Sequence, residues 1–454
     1  MNQLNHKFPK EFTWGVATSS FQIEGATQLD GRGASIWDTF CNRPGAIADG
    51  SNGDIACDHY HKYSEDVQLM HSLNIQAYRF SIAWPRIYPQ GTGTVNQKGI
   101  DFYDRLVDEL LKANITPWIT LYHWDLPQAL EDLGGWTHRN TCYAFADYAS
   151  TMAHHLGDRV QHWITHNEPW CASVLGYLNG EHAPGIQSNQ AHLESSHHLL
   201  LSHGLAVSRI REESKAPQTK VGITLNLVPA EPASHSTFDQ QATQRFDAWF
   251  NRWYLEPLYN GIYPNDLMQA YQSEGYVDDW GFLQDGDLDI IATPTDFLGI
   301  NYYSRGIIRS DKVTEEENDP IIVKANDHNT DMGWEVYPNG LRELLHRVHK
   351  DYAPKAIYVT ENGAAYDTAP NQFHQVPDVL RQGYLQEHIH MCYKAIHEGV
   401  PLKGYFAWSL LDNFEWAFGY EKRFGLVWID YETQVRIPKN SALWYRDLIE
   451  RGGY

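Results

Sequence analysis

The sequence predicts an α/β fold: a single (β/α)8 barrel with long loops at the carboxyl ends of its strands. Three observations carry that expectation. Eight short β-branched or aromatic runs alternate with amphipathic stretches. No Pro/Gly/Ser-rich linker, repeat or low-complexity block divides the 454 residues. Polar and aromatic clusters follow nearly every run. Alternating strand and helix implies a parallel sheet, and eight repeats imply closure. An open doubly wound sheet would carry a Gly-rich phosphate loop after its first strand. That place holds Ser19-Ser20-Phe21-Gln22-Ile23-Glu24-Gly25 instead.

The expected strands are Phe12–Ala17, Ala77–Ile82, Thr116–Tyr122, Val160–Thr165, Lys220–Leu225, Phe297–Ile300, Ala356–Thr360 and Gly404–Trp408. Near-continuous apolar runs of this length read as strands buried on both faces. The clearest helix is Ile100–Ala113, with Tyr103, Leu106, Val107, Leu110 and Leu111 at helical spacing and Asn114 as its stop. Asp311–Asn329, with Glu315-Glu316-Glu317, reads as a long polar loop. The candidate site residues run from Gln22 to Phe424, so one catalytic barrel over residues 1–454 is expected.

Lys+Arg number 35 against 57 Asp+Glu, a net charge of −22. That balance disfavours nucleic acid and anionic membrane as partners. Met1 to Lys10 is polar, without the apolar centre of a signal peptide. No apolar run approaches the roughly 20 residues of a membrane span. The five cysteines are odd in number and lack a C-x-x-C spacing, which points to a reducing, cytoplasmic setting.

Two strings carry the chemistry. His166-Asn167-Glu168-Pro169 and Tyr358-Val359-Thr360-Glu361-Asn362-Gly363 each put a glutamate at the carboxyl end of a strand. Catalysis sits there in a barrel, and two such carboxyls are the minimal equipment for cleaving a glycosidic bond. Alone, Glu before Pro or an Asn-Gly pair is an ordinary turn; together, on the barrel rhythm, they read as one site. Other strands end in Arg79-Phe80-Ser81, His123-Trp124-Asp125, Asn301-Tyr302-Tyr303 and Trp408 to Trp416; the fifth is the exception. The chain has 16 Trp and 27 Tyr, enough to supply rings for stacking on sugar faces beyond ordinary core use. The 23 histidines include His59-x-His61, His154-His155 and His197-His198, but no H-E-x-x-H, so neither metal nor other cofactor is expected.

On these strings the chain resembles glycoside hydrolase family 1, the retaining β-glucosidases, over essentially its full length. The resemblance implies that Glu361 is the nucleophile and Glu168 the acid/base. Retention needs the two carboxyls about 5–5.5 Å apart, one ionised and one protonated. Arg79 is suited to keep Glu361 ionised, Tyr303 can help through its hydroxyl, and Asn167 can donate to the sugar 2-hydroxyl. By resemblance, Gln22, His123, Trp124, Asn301, Trp408, Glu415 and Trp416 line the glycone pocket, with Phe424 packing behind it. Trp170, Cys171, Leu175, Asn226 and Trp334 belong to the aglycone side. His166 stands where the family usually has an apolar or aromatic residue, in a position to alter hydrogen bonding or the pH optimum.

The leading expectation is a double-displacement β-glucosidase acting on cellobiose, short cello-oligosaccharides and aryl β-glucosides. Bulky Trp170 and Leu175 resemble glucose-tolerant members. A 6-phospho-β-glucosidase is the rival within enzymes, with Lys422 and Arg423 as its only nearby cations. A non-catalytic sugar-binding barrel is the rival from another class, and a transglycosylase would use the same intermediate.

Overall fold

The computed structural model describes residues 7–311, 320–324, 326 and 328–454. Residues 1–6 of the polar N-terminus and Glu315-Glu316-Glu317 lie outside the described residues.

Eight parallel strands close into a barrel: β1 (Thr13–Ala17), β2 (Ala77–Ser81), β3 (Thr116–Tyr122), β4 (His162–Asn167), β5 (Lys220–Asn226), β6 (Phe297–Asn301), β7 (Ile357–Asn362) and β8 (Leu402–Trp408). Neighbours pair in chain order, and β8 closes on β1 from Thr13↔Gly404 to Ala17↔Trp408. Every expected strand is present, with ends displaced by at most two residues. The main displacement is at carboxyl ends. Polar residues there, Asn167, Asn226, Asn301 and Asn362, continue the backbone ladder although they break the apolar run.

Helices follow the strands and cover the outside of the barrel. The expected helix at Ile100–Ala113 runs from Gln97 to Lys112 and buries Leu106, Val107 and Leu110. Asn114 adopts a left-handed φ of 59°, which ends the helix as its residue type favours. The Asp311–Asn329 expectation is partly overturned. Pro320–Val323 is a strand, antiparallel to Gly306–Ser310, which in turn pairs with Ala230–Pro232. The β-branched run Ile321-Ile322-Val323 explains it, outweighing the polar residues around it. Among the described residues no helix is long and apolar enough to cross a membrane.

The barrel interior is filled from below. Trp118 meets Phe297, Tyr358 and Phe406 edge-on, with centroids 5.3, 4.7 and 5.1 Å away, and His162 stacks on it at 4.0 Å. This aromatic plug leaves only the carboxyl end open to polar side chains.

The long loop after β8 returns Glu415, Trp416 and Phe424 to that open end. It is anchored by Asp412, which is fully buried and takes the Lys439 ammonium at 2.7 Å, the Arg423 guanidinium at 3.0 Å and the Gly425 N–H at 2.9 Å. Removing one partner of a buried pair strands the other charge, at about 3–5 kcal/mol. We therefore expect Lys439→Met to lower the thermal unfolding midpoint by several degrees, and Asp412→Asn in the same chain to recover part of the loss. An unchanged midpoint in Lys439→Met would contradict the anchor.

Candidate active site

Arg79 on β2 organises the mouth of the barrel. It is fully buried. Its Nη1 donates to Glu361 Oε1 at 2.5 Å and to the Thr360 carbonyl at 3.1 Å. Its Nη2 donates to Asn167 Oδ1 at 2.6 Å and its Nε to Thr120 Oγ1 at 3.2 Å. One guanidinium thus joins β2, β3, β4 and β7. The Tyr303 hydroxyl donates to the second oxygen of Glu361 at 2.6 Å. Burial pushes the Glu361 pKa up, and the cation and the phenol oppose that rise by favouring the anion.

Glu168 has the other environment. It follows β4 with a φ of 46°, a left-handed conformation that residues other than glycine seldom adopt. Its Oε1 accepts from the Asn301 amide at 2.6 Å and its Oε2 from the Cys171 thiol at 3.0 Å. Both partners are uncharged. Burial, and then the charge of Glu361, push its pKa up to about 8. Both effects favour the protonated carboxyl.

Local backbone shifts aim these groups. The β4–β5 register slips between Ile164 and Asn167, and the β7 register slips between Val359 and Glu361 on the β6 side. Such bulges turn side chains that strict alternation would not deliver. Asn167 enters the barrel, and His166 points outward. His166 is fully buried against Phe145, ring centroids 4.4 Å apart, and meets Ser202 Oγ at 2.8 Å. Burial drives its pKa well down, so it is a neutral core residue of the helix layer. Its partners Ser202 and Phe145 lie in that layer and away from Glu168.

The end of the mouth beside Asn167 is built on aromatic rings. Asn167 Nδ2 meets His123 Nε2 at 3.0 Å; burial, then Arg79, keep that imidazole neutral and able to accept. The His123 ring lies within 20° of Trp408 and of Trp416, with centroids 5.8 and 5.9 Å away. The Trp124 indole donates to the Asn167 carbonyl at 2.9 Å and packs on Trp416. Glu415 is half-buried, and its Oε2 has no hydrogen-bond partner among the described residues. Burial, and then the two other glutamates, push its pKa up to about 8. Gln22 is fully buried. Its amide donates to Asn413 Oδ1 at 3.0 Å and to the Phe414 carbonyl at 2.8 Å, and accepts from Ser19 Oγ at 2.6 Å. It holds the loop that bears Glu415 and retains one lone pair on Oε1 for a hydroxyl.

On the opposite side, Trp334 packs on Tyr303 and Phe424 with centroids 5.3 and 6.2 Å away. Trp170 stacks on Phe250 at 4.2 Å, and Leu175 is half-buried in Cys171–Leu178. Cys171, expected among the aglycone residues, lies against Glu168 itself. The fifth strand, which lacks a polar or aromatic cluster in the sequence, ends in Asn226, expected on the aglycone side, whose amide reaches Cys171 Sγ at 3.5 Å.

Several residues escaped the sequence reading. Thr224 donates to Thr360, which donates to Asn301 Oδ1 at 2.8 Å, orienting the amide that holds Glu168. The available signal was a threonine inside a strand buried on both faces. The histidine pairs find local partners: His59 meets Asp66, His154 meets Glu213, and His197 lies between Tyr263 and Asp287. Among the described residues no three His, Cys, Asp or Glu converge on a point that would hold a metal ion.

Two buried carboxyls at the mouth of a (β/α)8 barrel, one ion-paired and one not, are the equipment of a glycoside hydrolase. The chain belongs to glycosyl hydrolase family 1, whose profile matches residues 4–454. It is 47% identical over 448 residues to β-glucosidase A of Acetivibrio thermocellus, covering 98% of this chain and 99% of the relative. It is 46% identical over 455 residues to a 1,4-β-D-glucan glucohydrolase of Thermotoga neapolitana, covering 98% and 99%. The family 1 β-glucosidase of Thermotoga maritima in complex with castanospermine superposes with a TM-score of 0.94 at 45% identity, covering 99% of each chain.

The charge of Glu361 raises Glu168, so removing it must lower Glu168. We expect Glu361→Gln to move the Glu168 titration down from about 8 toward the ordinary carboxyl range, followed by carboxyl infrared absorption. A titration that stays in place would show that burial alone sets it.

Proposed function

We propose that this chain is a retaining exo-β-glucosidase in which Glu361 is the nucleophile and Glu168 the acid/base. The unequal pairing of the two carboxyls carries this reading: Glu361 has the cation and the phenol, and Glu168 has neither. A terminal β-D-glucosyl ring stacks on Trp408 with its hydroxyls toward Gln22, His123, Asn167 and Glu415. The free hydrogen of the Asn167 amide meets the 2-hydroxyl, a bond that strengthens as the ring gains oxocarbenium character.

Glu361 attacks the anomeric carbon while Glu168 gives its proton to the glycosidic oxygen, and the aglycone departs. The bond to the sugar removes the charge of Glu361. The pKa of Glu168 then falls, and the same carboxyl, now ionised, takes a proton from water as it attacks the glycosyl-enzyme. β-Glucose leaves and both carboxyls return to their starting states. Cellobiose, short cello-oligosaccharides and aryl β-glucosides are the substrates of this reading, which places the chain in cellulose breakdown.

The 6-phospho reading fares worse. Glu415, whose Oε2 has no hydrogen-bond partner among the described residues, puts a carboxyl rather than a cation at the C4/C6 edge, so it offers a phosphate no counter-charge. The two nearby cations are committed, Lys422 to the Asp331 carbonyl and Arg423 to Asp412. We further propose one catalytic domain over the whole chain; the Tyr445 hydroxyl, near the C-terminus, bonds the Gly15 carbonyl of β1 at 2.9 Å. Five free cysteines, four of them buried, support a cytoplasmic setting.

Glu361→Ala abolishes turnover on every substrate. Glu168→Ala lowers kcat/KM on cellobiose about 10²–10⁴-fold. It keeps activity on dinitrophenyl β-glucoside, and azide accelerates that activity by replacing the missing base. Reversed phenotypes, or α-glucose as the first product seen by NMR, would overturn the assignment.

By the resemblance to family 1, Trp170, Leu175 and Trp334 line the entrance, and we propose that their apolar surface disfavours re-entry of free, fully hydrated glucose. Initial rates are expected to persist at glucose well above KM, and Trp170→Ala to become more sensitive. Competitive inhibition near KM, equal in both proteins, would remove that argument.

A further inference from the structure

We propose that Cys171 is a positioning residue for the acid/base. Its thiol holds Glu168 by Oε2 and, backed by Asn226, biases that carboxyl toward the ionised form it needs in the second half of the reaction. The inference rests on the reading of Glu168 as acid/base, and it assigns the thiol a role beyond lining the aglycone side.

The geometry starts in the chain. Cys171 lies three residues after Glu168 and opens the helical segment Cys171–Leu178. The left-handed turn at Glu168 folds its carboxyl back over that first turn. Sγ lies 3.0 Å from Oε2, and the thiol is buried. Burial, and then the charge of Glu168, keep the thiol well above the ordinary cysteine range, so it retains its hydrogen and is a donor. The Asn226 amide donates to the sulfur from the other side at 3.5 Å, occupying a lone pair and leaving the S–H for Glu168.

Every element around Glu168 presents something to it. Arg79 of β2 lies behind Asn167 and favours the anion. His123 of β3 is neutral. Asn301 of β6 donates to Oε1, and Tyr303 is spent on Glu361. Glu361 of β7 and Glu415 of the loop after β8 are carboxyls, and the charge of Glu361 favours the protonated form. Burial favours the protonated form as well. The thiol therefore acts with Asn301 against these forces, one donor on each oxygen.

The strength of the donor matters because Glu168 must change state once in each half-reaction. A cation in place of Cys171 would hold it as an anion and disable the acid. An apolar side chain would leave it an acid too long and slow the base step. A thiol is a weak donor. It moves the balance modestly and leaves both states accessible.

The test compares wild type with Cys171→Ala and Cys171→Ser across pH. Losing a donor to the carboxylate raises its pKa. In Cys171→Ala the alkaline limb of kcat/KM should move up by about 0.5 pH unit or more, a shift in scale with one weak hydrogen bond. The acid limb of kcat on dinitrophenyl β-glucoside, where release of the glycosyl-enzyme limits turnover, should move up with it. On that limb the rate falls about 3-fold, the factor that half a pH unit represents. Cys171→Ser keeps a donor and should return both limbs to the wild-type position or below. If Cys171→Ala does not fold, Cys171→Val, close in shape and without a donor, takes its place.

A uniform loss of rate with both limbs unmoved would overturn the proposal, and so would equal shifts in the alanine and serine variants. Glu168→Ala with azide separates the two levels. Rescue by azide with unmoved limbs in Cys171→Ala rejects only the thiol's role. Absence of rescue rejects the acid/base reading and the proposal with it.

Discussion

The ion pair between Arg79 and Glu361 is the constraint on which the rest of the site depends. Both side chains are buried above an aromatic plug, with water excluded from one side. Losing one member of such a pair typically costs about 3–5 kcal/mol. The same guanidinium orients Asn167 and touches Thr120, so four strands share one cation. Once Glu361 is held as an anion, its field falls on Glu168, whose two hydrogen-bond donors are uncharged. The protonation of the second carboxyl follows from its own burial first and from the charge of the first carboxyl second.

The barrel holds this arrangement under local strain. Trp124, Glu168 and Trp416 all have positive φ, at 75°, 46° and 46°. Each such residue costs of the order of 1–3 kcal/mol and persists only where its surroundings fix it. The fixing contacts are present: the Trp124 indole on the Asn167 carbonyl, the two donors on Glu168, and Trp37 and Trp124 against Trp416. The loop after β8 is held in turn by Asp412 and Gln22, far apart in sequence. Shape at the sugar site is therefore maintained in part by contacts outside the pocket, such as Asp412 with Lys439.

Much of this was legible in the chain. Eight apolar runs mark the strands because burial on both faces leaves little choice of residue. The glutamates at two strand ends carried the chemistry in their own side chains. Partners were less visible. Nothing local in the run Ile164 to Asn167 announces the register slip that turns His166 outward and Asn167 inward. Cys171 read as part of a wall because its contact with Glu168 needs the left-handed turn between them. Asn226 was expected on the aglycone side by resemblance alone, since one asparagine at a strand end makes no cluster, and its contact with Cys171 was not visible. Pro320–Val323 was hidden by the polar residues on both sides of a short β-branched run.

The central claim is that at neutral pH the shared charge sits on Glu361 and the proton on Glu168. Neutron diffraction from a deuterium-exchanged crystal at pH 7 locates that proton directly. The account predicts deuterium on a carboxyl oxygen of Glu168 and none on Glu361, with deuterium on the Tyr303 hydroxyl pointing at Glu361. Deuterium on Glu361 with a bare Glu168 carboxylate would contradict it.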